Sequence, residues 1–381
     1  MNYERRIAEL RRRMDETGID LVYLTRGANL FYLAGIRRPL EHGTDHNAYG
    51  DWACGAYIGR AGGIELIAPR MGGSFYEREA ADKPWIAGVR LIQEAERPID
   101  VLSQTLKGFG TLKHVAVDER TWAQQTEAIR ETLPEARVSL ASSLIAPMRM
   151  IKDADELVAM QRASAMADLV FARSLPILRA GVTEFEVARE IDYQFQLAGA
   201  EYTSFETGIT FTGAAAASAG TMRTGQRTLM PGDSVTFDFG CVLDGYCSDF
   251  GRSAFFGEPP AEYVRVHEVV LESQATAMRL MKAGACTAAQ ANAAARKVIA
   301  DAGYDTGFTH RLGHGIGVTV HEAPFLDFMD HTVLQENMCF TVEPSIRMPG
   351  RFGNRVEDVV LITANGGVSL NQAPHTLTIV E

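Results

Sequence analysis

Four carboxylates and one histidine in the C-terminal half of the chain have residue types and spacing that suit metal chemistry. They are Asp238, Asp249, His314, Glu343 and Glu357. Apolar, strand-like runs flank the carboxylates, so we expect them to be buried, and buried like charges are tolerated only when protons or cations neutralise them. An imidazole among carboxylates is an oxygen-rich donor set that suits Mn²⁺, Co²⁺, Fe²⁺ or Zn²⁺. The sequence therefore predicts a site for two metal ions.

The four carboxylates fall into two pairs, each predicted to lie on one face of a β-hairpin. Asp244-Gly245 is a tight-turn signal between two strand-like runs. A two-residue loop there places Asp238 and Asp249 opposite or diagonally adjacent on the same face. The second hairpin turns around Gly350, and an odd loop centred on this glycine places the two glutamates directly opposite each other. The hairpins thus bring the carboxylates together in pairs.

The two hairpins belong to a weak internal repeat of about one hundred residues. Thr183 and Glu186 form a predicted capping box that opens a helix, and Thr287 and Gln290 have the same spacing at a second helix. Each helix is followed by a loop and then by a strand that carries a carboxylate. The repeat predicts a duplicated α+β unit whose two copies surround one centre.

The first 147 residues follow a different pattern, in which helices and strands alternate. Strands are predicted at Leu21–Leu24, Ile64–Ala68, Val89–Ile92 and Val115–Val117. This alternation is typical of an α/β domain. A long helical segment begins near Ala154, so we predict two domains, 1–147 and 148–381.

Composition and charge exclude several classes of partner. The formal net charge is −11, and no Lys/Arg-rich stripe suggests a nucleic-acid or anionic-membrane surface. No run approaches the ~18 apolar residues of a transmembrane helix, and the charged N-terminus does not resemble a signal peptide. Five cysteines without metal-type spacing indicate reduced thiols. We expect a cytoplasmic protein with no nucleic-acid or membrane partner.

Five short motifs resemble the ligand motifs of the pita-bread metallopeptidases, which include methionine aminopeptidase, prolidase, aminopeptidase P and the non-metal enzyme creatinase. The motifs are Phe237-Asp238-Phe239-Gly240, Ser248-Asp249-Phe250-Gly251-Arg252, Gly313-His314-Gly315-Ile316-Gly317, Thr341-Val342-Glu343-Pro344 and Arg355-Val356-Glu357-Asp358. The segments 29–35 and 148–155 are similar to the N-terminal domain and linker of the prolidase, aminopeptidase P and creatinase branch. The resemblance implies an N-terminal α/β creatinase/prolidase-like domain and a pseudo-twofold α+β catalytic domain.

The resemblance also implies roles for individual residues. Glu343 would be both a metal ligand and the carboxylate that manages the proton of a metal-bridging water. His310 and His321 match histidines that contact the substrate or the tetrahedral intermediate, and Arg355 matches an arginine beside the metals. The implied cofactors are two divalent ions, with Mn²⁺ the first choice and Co²⁺, Zn²⁺ or Fe²⁺ as alternatives. The implied reaction is hydrolysis of a small peptide or amide by a homodimer of the Xaa-Pro dipeptidase or aminopeptidase P type.

The chain departs from the family pattern at one loop. Family members carry a further histidine before the first ligand strand, and the corresponding stretch here, nearest Gly220, has none. Two hypotheses for an enzymatic function follow. The protein is either an Xaa-Pro peptidase that works without this imidazole, or a hydrolase or lyase that acts on a small non-peptide compound. A non-enzymatic binding module is a third possibility. It is disfavoured because relatives of that kind lose metal ligands, whereas this chain keeps all five. Residues 41–46 either help to select the substrate or form a surface loop.

Overall fold

The computed structural model describes residues 1–38, 49–214 and 224–381. The chain divides into two compact units, Met1–Arg149 and Met150–Glu381. The sequence pattern predicted a domain boundary between residues 147 and 148. None of the described helices is both long and apolar enough to cross a lipid bilayer.

The first unit is built on one six-stranded mixed sheet. Its strands are β1 (Leu21–Leu24), β2 (Gly55–Gly59), β3 (Ile64–Pro69), β4 (Ile86–Ile92), β5 (His114–Val117) and β6 (Arg137–Leu140), in the order β4-β3-β2-β1-β5-β6. Its helices are α1 (Tyr3–Thr17), α2 (Ala28–Ala34), α3 (Gly73–Ala80), α4 (Pro98–Gly108), α5 (Ala123–Thr132) and α6 (Ser142–Met150). The central strand β1 is buried along its whole length, as expected for a strand covered on both faces. The predicted α/β pattern is confirmed.

The second unit consists of two α+β halves. The first half contains α7 (Ala154–Ser174), α8 (Glu184–Ala198), β7 (Tyr202–Thr203), β8 (Gly208–Thr212), β9 (Ser234–Phe239), β10 (Cys241–Leu243), β11 (Tyr246–Cys247) and β12 (Phe250–Phe256). The second half contains α9 (Ala261–Leu280), α10 (Ala288–Asp301), β13 (Gly313–Gly315), β14 (Glu322–Leu326), β15 (Cys339–Val342), β16 (Ser345–Met348), β17 (Phe352–Arg355), β18 (Asp358–Thr363), β19 (Gly366–Ser369) and β20 (Thr378–Val380).

The two halves repeat the same design around separate cores. Strands β20-β12-β9-β8 form one sheet, and β14-β13-β15-β18-β19 form the other. Both predicted capping boxes are present, at Thr183 and Glu186 and at Thr287 and Gln290. Each half has its own cluster of buried apolar side chains. The internal duplication predicted from the helix openings and carboxylate strands is thus the architecture of this unit.

Candidate metal centre and active site

The first carboxylate pair is set by the hairpin of β9 and β12. Asp238 pairs with Gly251 in the antiparallel register, and Asp249 lies two residues before that partner. The two aspartates are therefore diagonal neighbours on one face, one of the two arrangements predicted. The turn is at Asp244-Gly245, where both residues have positive φ, 51° and 76°, the combination that tight hairpin turns require.

The second carboxylate pair lies in the long hairpin of β15–β16 and β17–β18. Val342 pairs with Asp358, and Ser345 pairs with Arg355. The same register continues through the two residues between them on each strand, so Glu343 lies directly opposite Glu357. Direct opposition is what the odd loop around Gly350 predicted.

Backbone contacts join the two hairpins beside the carboxylates. The N–H of Glu357 donates to the carbonyl oxygen of Gly251 at 2.9 Å, and the N–H of Gly251 donates back at 3.4 Å. This isolated bridge connects the strand that follows Asp249 with the strand that carries Glu357. The hairpins are therefore held together at the point where their acids meet.

The five predicted ligands lie in one pocket of about 530 Å³. Asp238, Asp249 and Glu357 each offer a carboxylate oxygen within 4.8 Å of the others. His314 Nε2 lies 3.5 Å from Asp249 Oδ2 and 3.5 Å from Glu343 Oε1. Asp238, whose side chain is 31% exposed, is the most accessible of the five. Four acids and one imidazole thus converge on one small volume.

Arg355 is the cation that contacts most of these carboxylates. Its Nη1 donates to Asp238 Oδ2 and lies 3.3 Å from Glu357 Oε2, while Nη2 lies 3.3 Å from Glu343 Oε2. Burial opposes the charge of this guanidinium, but the surrounding carboxylates outweigh burial and raise the pKa of Arg355. One arginine charge does not balance four carboxylates.

The pKa values of the carboxylic acids show that their negative charge is not fully neutralised by Arg355. Burial raises the pKa of Glu343 to about 7 and raises the pKa of both Asp249 and Glu357. Asp249 Oδ1 is buried, and no hydrogen-bond donor in the described ranges reaches it. A divalent cation bound here would neutralise part of the charge of the crowded carboxylates and would contact the Asp249 oxygen that has no hydrogen-bond donor. The residues present therefore fit a metal centre.

His310 and His321, the two histidines that the resemblance assigned to substrate contacts, line the same pocket. The Nδ1 of His310 lies 2.7 Å from the carbonyl oxygen of Arg311, and because a carbonyl only accepts, Nδ1 carries the proton of the neutral ring. Its Nε2 is then a buried acceptor to which no described group donates. Burial, followed by the charge of Arg355, lowers the pKa of His310 to about 3.

His321 lies beside the cluster of carboxylates and His314. Its ring packs edge-on against His314 with centroids 4.0 Å apart, and the two imidazoles and Asp249 each offer a ligand atom within 4.8 Å of the others. His321 is exposed, so it combines access to solvent with proximity to the centre.

Several pocket residues were not identified from the sequence. They are Phe205, Arg311, Val320 and Asp327. Arg311 follows His310 directly, which is the only local signal that it lies at the site. Gly220 and the segment 41–46 are outside the described residues.

Comparison with known proteins agrees with this geometry. The sequence model of Metallopeptidase family M24 matches residues 158–364, and that of the Creatinase/Prolidase N-terminal domain matches residues 6–151. The first match contains all five clustered residues and both pocket histidines.

The chain is also similar over its whole length to individual peptidases. It is 33% identical to an Xaa-Pro dipeptidase of Lactobacillus delbrueckii subsp. lactis, over 93% of each chain. Among solved structures, a prolidase from Thermococcus sibiricus matches 100% of both chains with 31% identity and a TM-score of 0.89. An X-Pro aminopeptidase from Thermotoga maritima matches 100% of this chain and 99% of its own, with 28% identity and a TM-score of 0.84. The chain is therefore a hydrolase of metallopeptidase family M24, with a creatinase/prolidase N-terminal domain and a pita-bread catalytic domain.

Proposed function

We propose that this protein is an Xaa-Pro dipeptidase that uses two divalent metal ions to hydrolyse the amide bond of small peptides. The observation that carries the proposal is the convergence of four carboxylates and an imidazole in one pocket of a family M24 domain. The dipeptidase assignment is favoured over aminopeptidase P because the prolidase structure is the more similar of the two neighbours described above.

The proposed ligands are the five residues of the cluster, Asp238, Asp249, His314, Glu343 and Glu357. Mn²⁺ suits this oxygen-rich set, and Co²⁺, Zn²⁺ and Fe²⁺ are the alternatives. Divalent ions held by these residues would supply Lewis-acid chemistry, polarising the scissile carbonyl of the substrate and lowering the pKa of the attacking water. Asp249 is central to the arrangement because it belongs to two sets of potential metal ligands. Its carboxylate lies within 4.8 Å of ligand atoms of His314 and His321, and within the same distance of those of Asp238 and Glu357.

Glu343 is proposed to carry the proton that moves during hydrolysis. It lies in the pocket and is 8% exposed, so its carboxylate reaches the site while it is shielded from bulk water. In this role it accepts a proton from the attacking water and delivers it to the leaving nitrogen. Thr341 Oγ1, 3.3 Å from Glu343 Oε1, helps to orient the carboxylate.

The two pocket histidines are suited to different contacts with the substrate. The unprotonated Nε2 of His310 accepts a hydrogen bond, which fits a substrate N–H group. His321, exposed at the edge of the cluster, can donate to the oxygen of the carbonyl as negative charge develops there. Arg355 is already engaged with three carboxylates and Ser345, so we propose that it orients the ligand set.

A hydrolase or lyase acting on a small non-peptide compound is the second candidate. It is favoured by the sequence of the loop near Gly220, where the family histidine is missing. Homodimerisation remains a prediction from the resemblance, and a cytoplasmic location remains a prediction from the composition and the cysteines.

An assay of the metal-reconstituted protein separates these candidates. The panel contains Xaa-Pro dipeptides, longer Xaa-Pro peptides and small non-peptide amides. Cleavage of the dipeptides in preference to longer peptides supports the proposal. Cleavage of the longer peptides alone indicates the aminopeptidase P type. Inactivity on every peptide with metal bound transfers support to the non-peptide candidate.

A further inference from the structure

The hairpin that carries Glu343 and Glu357 has a gap in its strand pairing at these two residues. Strand β15 ends one residue before Glu343, and β16 begins two residues after it. On the opposite side, β17 ends two residues before Glu357, and β18 begins one residue after it. Pro344, inside the gap, has no N–H to donate. Regular strand pairing therefore leaves this pair of proposed ligands without direct support.

A glutamine of helix α9 donates to both sides of the hairpin at this gap. The Nε2 of Gln274 lies 3.1 Å from the carbonyl oxygen of Val342 and 3.4 Å from that of Val356. These two valines directly precede Glu343 and Glu357 in the sequence. Carbonyl oxygens only accept hydrogen bonds, so the amide nitrogen is the group that faces them. One side chain thus connects the backbones on either side of the carboxylate pair.

The same amide nitrogen also reaches the side chain of Asp358, the residue that follows Glu357. It lies 3.2 Å from Asp358 Oδ2. Arg252 Nη2 and His375 Nε2 donate to the same buried carboxylate, each at 2.7 Å. Arg252 Nη1 donates to the carbonyl oxygen of Glu357 at 2.6 Å. Gln274 therefore belongs to a buried network that holds the backbone around Glu357.

This network lies behind the proposed metal centre, beside a separate cavity. Successive side chains of an extended chain point to opposite faces, so Asp358 points away from the face of Glu357. Two of its partners, Gln274 and His375, line a cavity of about 520 Å³. Side chains do not fill the space on this side of the hairpin. Hydrogen bonds from Gln274, rather than close packing, therefore support the ligand strands here.

We propose that Gln274 is a positioning residue of the metal centre, which holds Glu343 and Glu357 at the separation that the metal ions require. The inference rests on the proposed function, because it concerns ligands of the same centre. Within the described residues, the hydrogen bonds of Gln274 reach no side chain of a proposed ligand. Gln274 therefore acts through the backbone of the two ligand strands.

Gln274→Met removes the N–H donors and keeps a side chain of similar length. We expect the Kd for Mn²⁺, measured by calorimetry, to rise about ten- to a hundredfold, the usual effect of losing a group that orients metal ligands. At saturating Mn²⁺, kcat for Ala-Pro should fall while KM changes little, because Gln274 does not line the substrate pocket. The visible spectrum of the Co²⁺-loaded variant should differ from that of the wild type, since this spectrum reports ligand geometry.

Ser273→Ala is the matched control on the same helix. Ser273 is fully buried, and its Oγ donates to the carbonyl oxygen of Ala295 in α10 at 2.9 Å. Both substitutions remove a buried hydrogen bond, so both should lower the thermal unfolding midpoint of the metal-free protein. Ser273→Ala should nevertheless keep the wild-type Mn²⁺ affinity and Co²⁺ spectrum. An equal loss of Mn²⁺ affinity in this control would overturn the assignment to Gln274.

A rescue experiment assigns the effect to the N–H donors and does not depend on the folding of Gln274→Met. Gln274→Ala opens space for a small molecule next to the existing cavity. Acetamide, which carries an amide N–H, should restore part of the Mn²⁺ affinity of this variant. Acetone has a similar shape and no N–H, so it should restore none. Equal Mn²⁺ affinities with acetamide and with acetone would contradict the proposed role of the donors.

The wild-type measurement separates failure of this inference from failure of the proposed function. A wild-type protein that binds neither Mn²⁺ nor Co²⁺ overturns the proposed metal centre, and the role of Gln274 with it. A wild-type protein that binds metal, beside a Gln274→Met variant with the same Mn²⁺ affinity and the same Co²⁺ spectrum, overturns the inference alone.

Discussion

Gly251 and Glu357 exchange backbone hydrogen bonds, and there is no room for a side chain at this glycine. A β-carbon built on Gly251 would lie 2.7 Å from Glu357 Oε2 and 2.7 Å from Arg355 Cδ. Both neighbours are buried and belong to the candidate metal centre. Close approach of the two hairpins therefore depends on glycine at this position.

Substitution of Gly251 by alanine should damage the centre more than the fold. The new methyl group displaces Glu357 or Arg355, at a cost of about 1–3 kcal/mol in the free energy of unfolding. We expect metal affinity and kcat/KM to fall by roughly a hundredfold, since displaced ligands weaken both. Calorimetric metal titration and a peptidase assay provide the measurements.

Gly108→Ala serves as the matched control. Gly108 ends helix α4, and no atom lies within 4 Å of a β-carbon built there. This variant should keep wild-type metal affinity and activity. Full metal affinity in Gly251→Ala would show that the contact between the hairpins does not position the ligands.

Arg355→Met tests whether this arginine and the metal ions share the task of neutralising the carboxylates. Removal of one partner from a buried ionic cluster costs about 3–5 kcal/mol in the free energy of unfolding. We expect this loss in the metal-free protein and partial recovery when Mn²⁺ is added, because bound ions stabilise the folded state. Thermal unfolding midpoints with and without Mn²⁺ measure both effects. A variant as stable as wild type without metal would contradict this role.

His310→Gln tests the assignment of a neutral imidazole in the pocket. Because burial lowers the pKa of His310 to about 3, the ring stays neutral throughout the pH range of an ordinary assay. The substitution should therefore lower kcat/KM roughly tenfold or more without changing the acidic limb of the pH profile. Loss of a titration between pH 5 and 8 in the variant would show that His310 is the titrating group.

The folded protein should lose stability in mildly acidic solution through His267. This ring is buried, lies 3.3 Å from Asn354 Oδ1 and 2.8 Å from the carbonyl oxygen of His375, and burial lowers its pKa. In the unfolded chain, the His267 imidazole takes up a proton as the pH falls through about 6.5. In the folded protein, the same imidazole stays neutral at that pH because its pKa is lower. The stability contribution is therefore present at pH 7.5 and declines below pH 6.5, by at most about 1.4 kcal/mol per pH unit.

His267→Gln removes this proton uptake. Its unfolding free energy should be lower overall, because two contacts change, but the slope between pH 7.5 and 5.5 should be flatter than in wild type. Denaturant unfolding across this range measures the slope. Identical slopes in the two proteins would assign the acid sensitivity to other groups.

Local rules were sufficient to predict the hairpins and the duplication. Asp244-Gly245 and Gly350 define turn positions, and strand alternation then defines which carboxylates share a face. The capping boxes at Thr183 and Thr287 are also local, since the interacting groups are three residues apart. These features required no knowledge of distant contacts.

Features that depend on distant parts of the chain were not predictable. The contact of Arg355 with Asp238 joins residues 117 positions apart, and the edge-on packing of His321 against His314 depends on the path of the intervening turn. Arg311 has no sequence pattern of its own, because a lone arginine is usually a solvated surface residue. The resemblance assigned Arg355 and His321 to the site but not their contacts, and the place of Arg311 in the pocket depends on how the two halves pack together.

The most direct test of the account is the number of divalent ions bound per chain. After reconstitution with Mn²⁺ and removal of free metal, elemental analysis should give two ions per chain for the wild type and fewer than two for Asp249→Asn. Hydrolysis of an Xaa-Pro dipeptide should rise in parallel with the bound metal. A wild-type protein that binds no divalent ion, or that hydrolyses the dipeptide equally well without metal, would contradict the proposed centre.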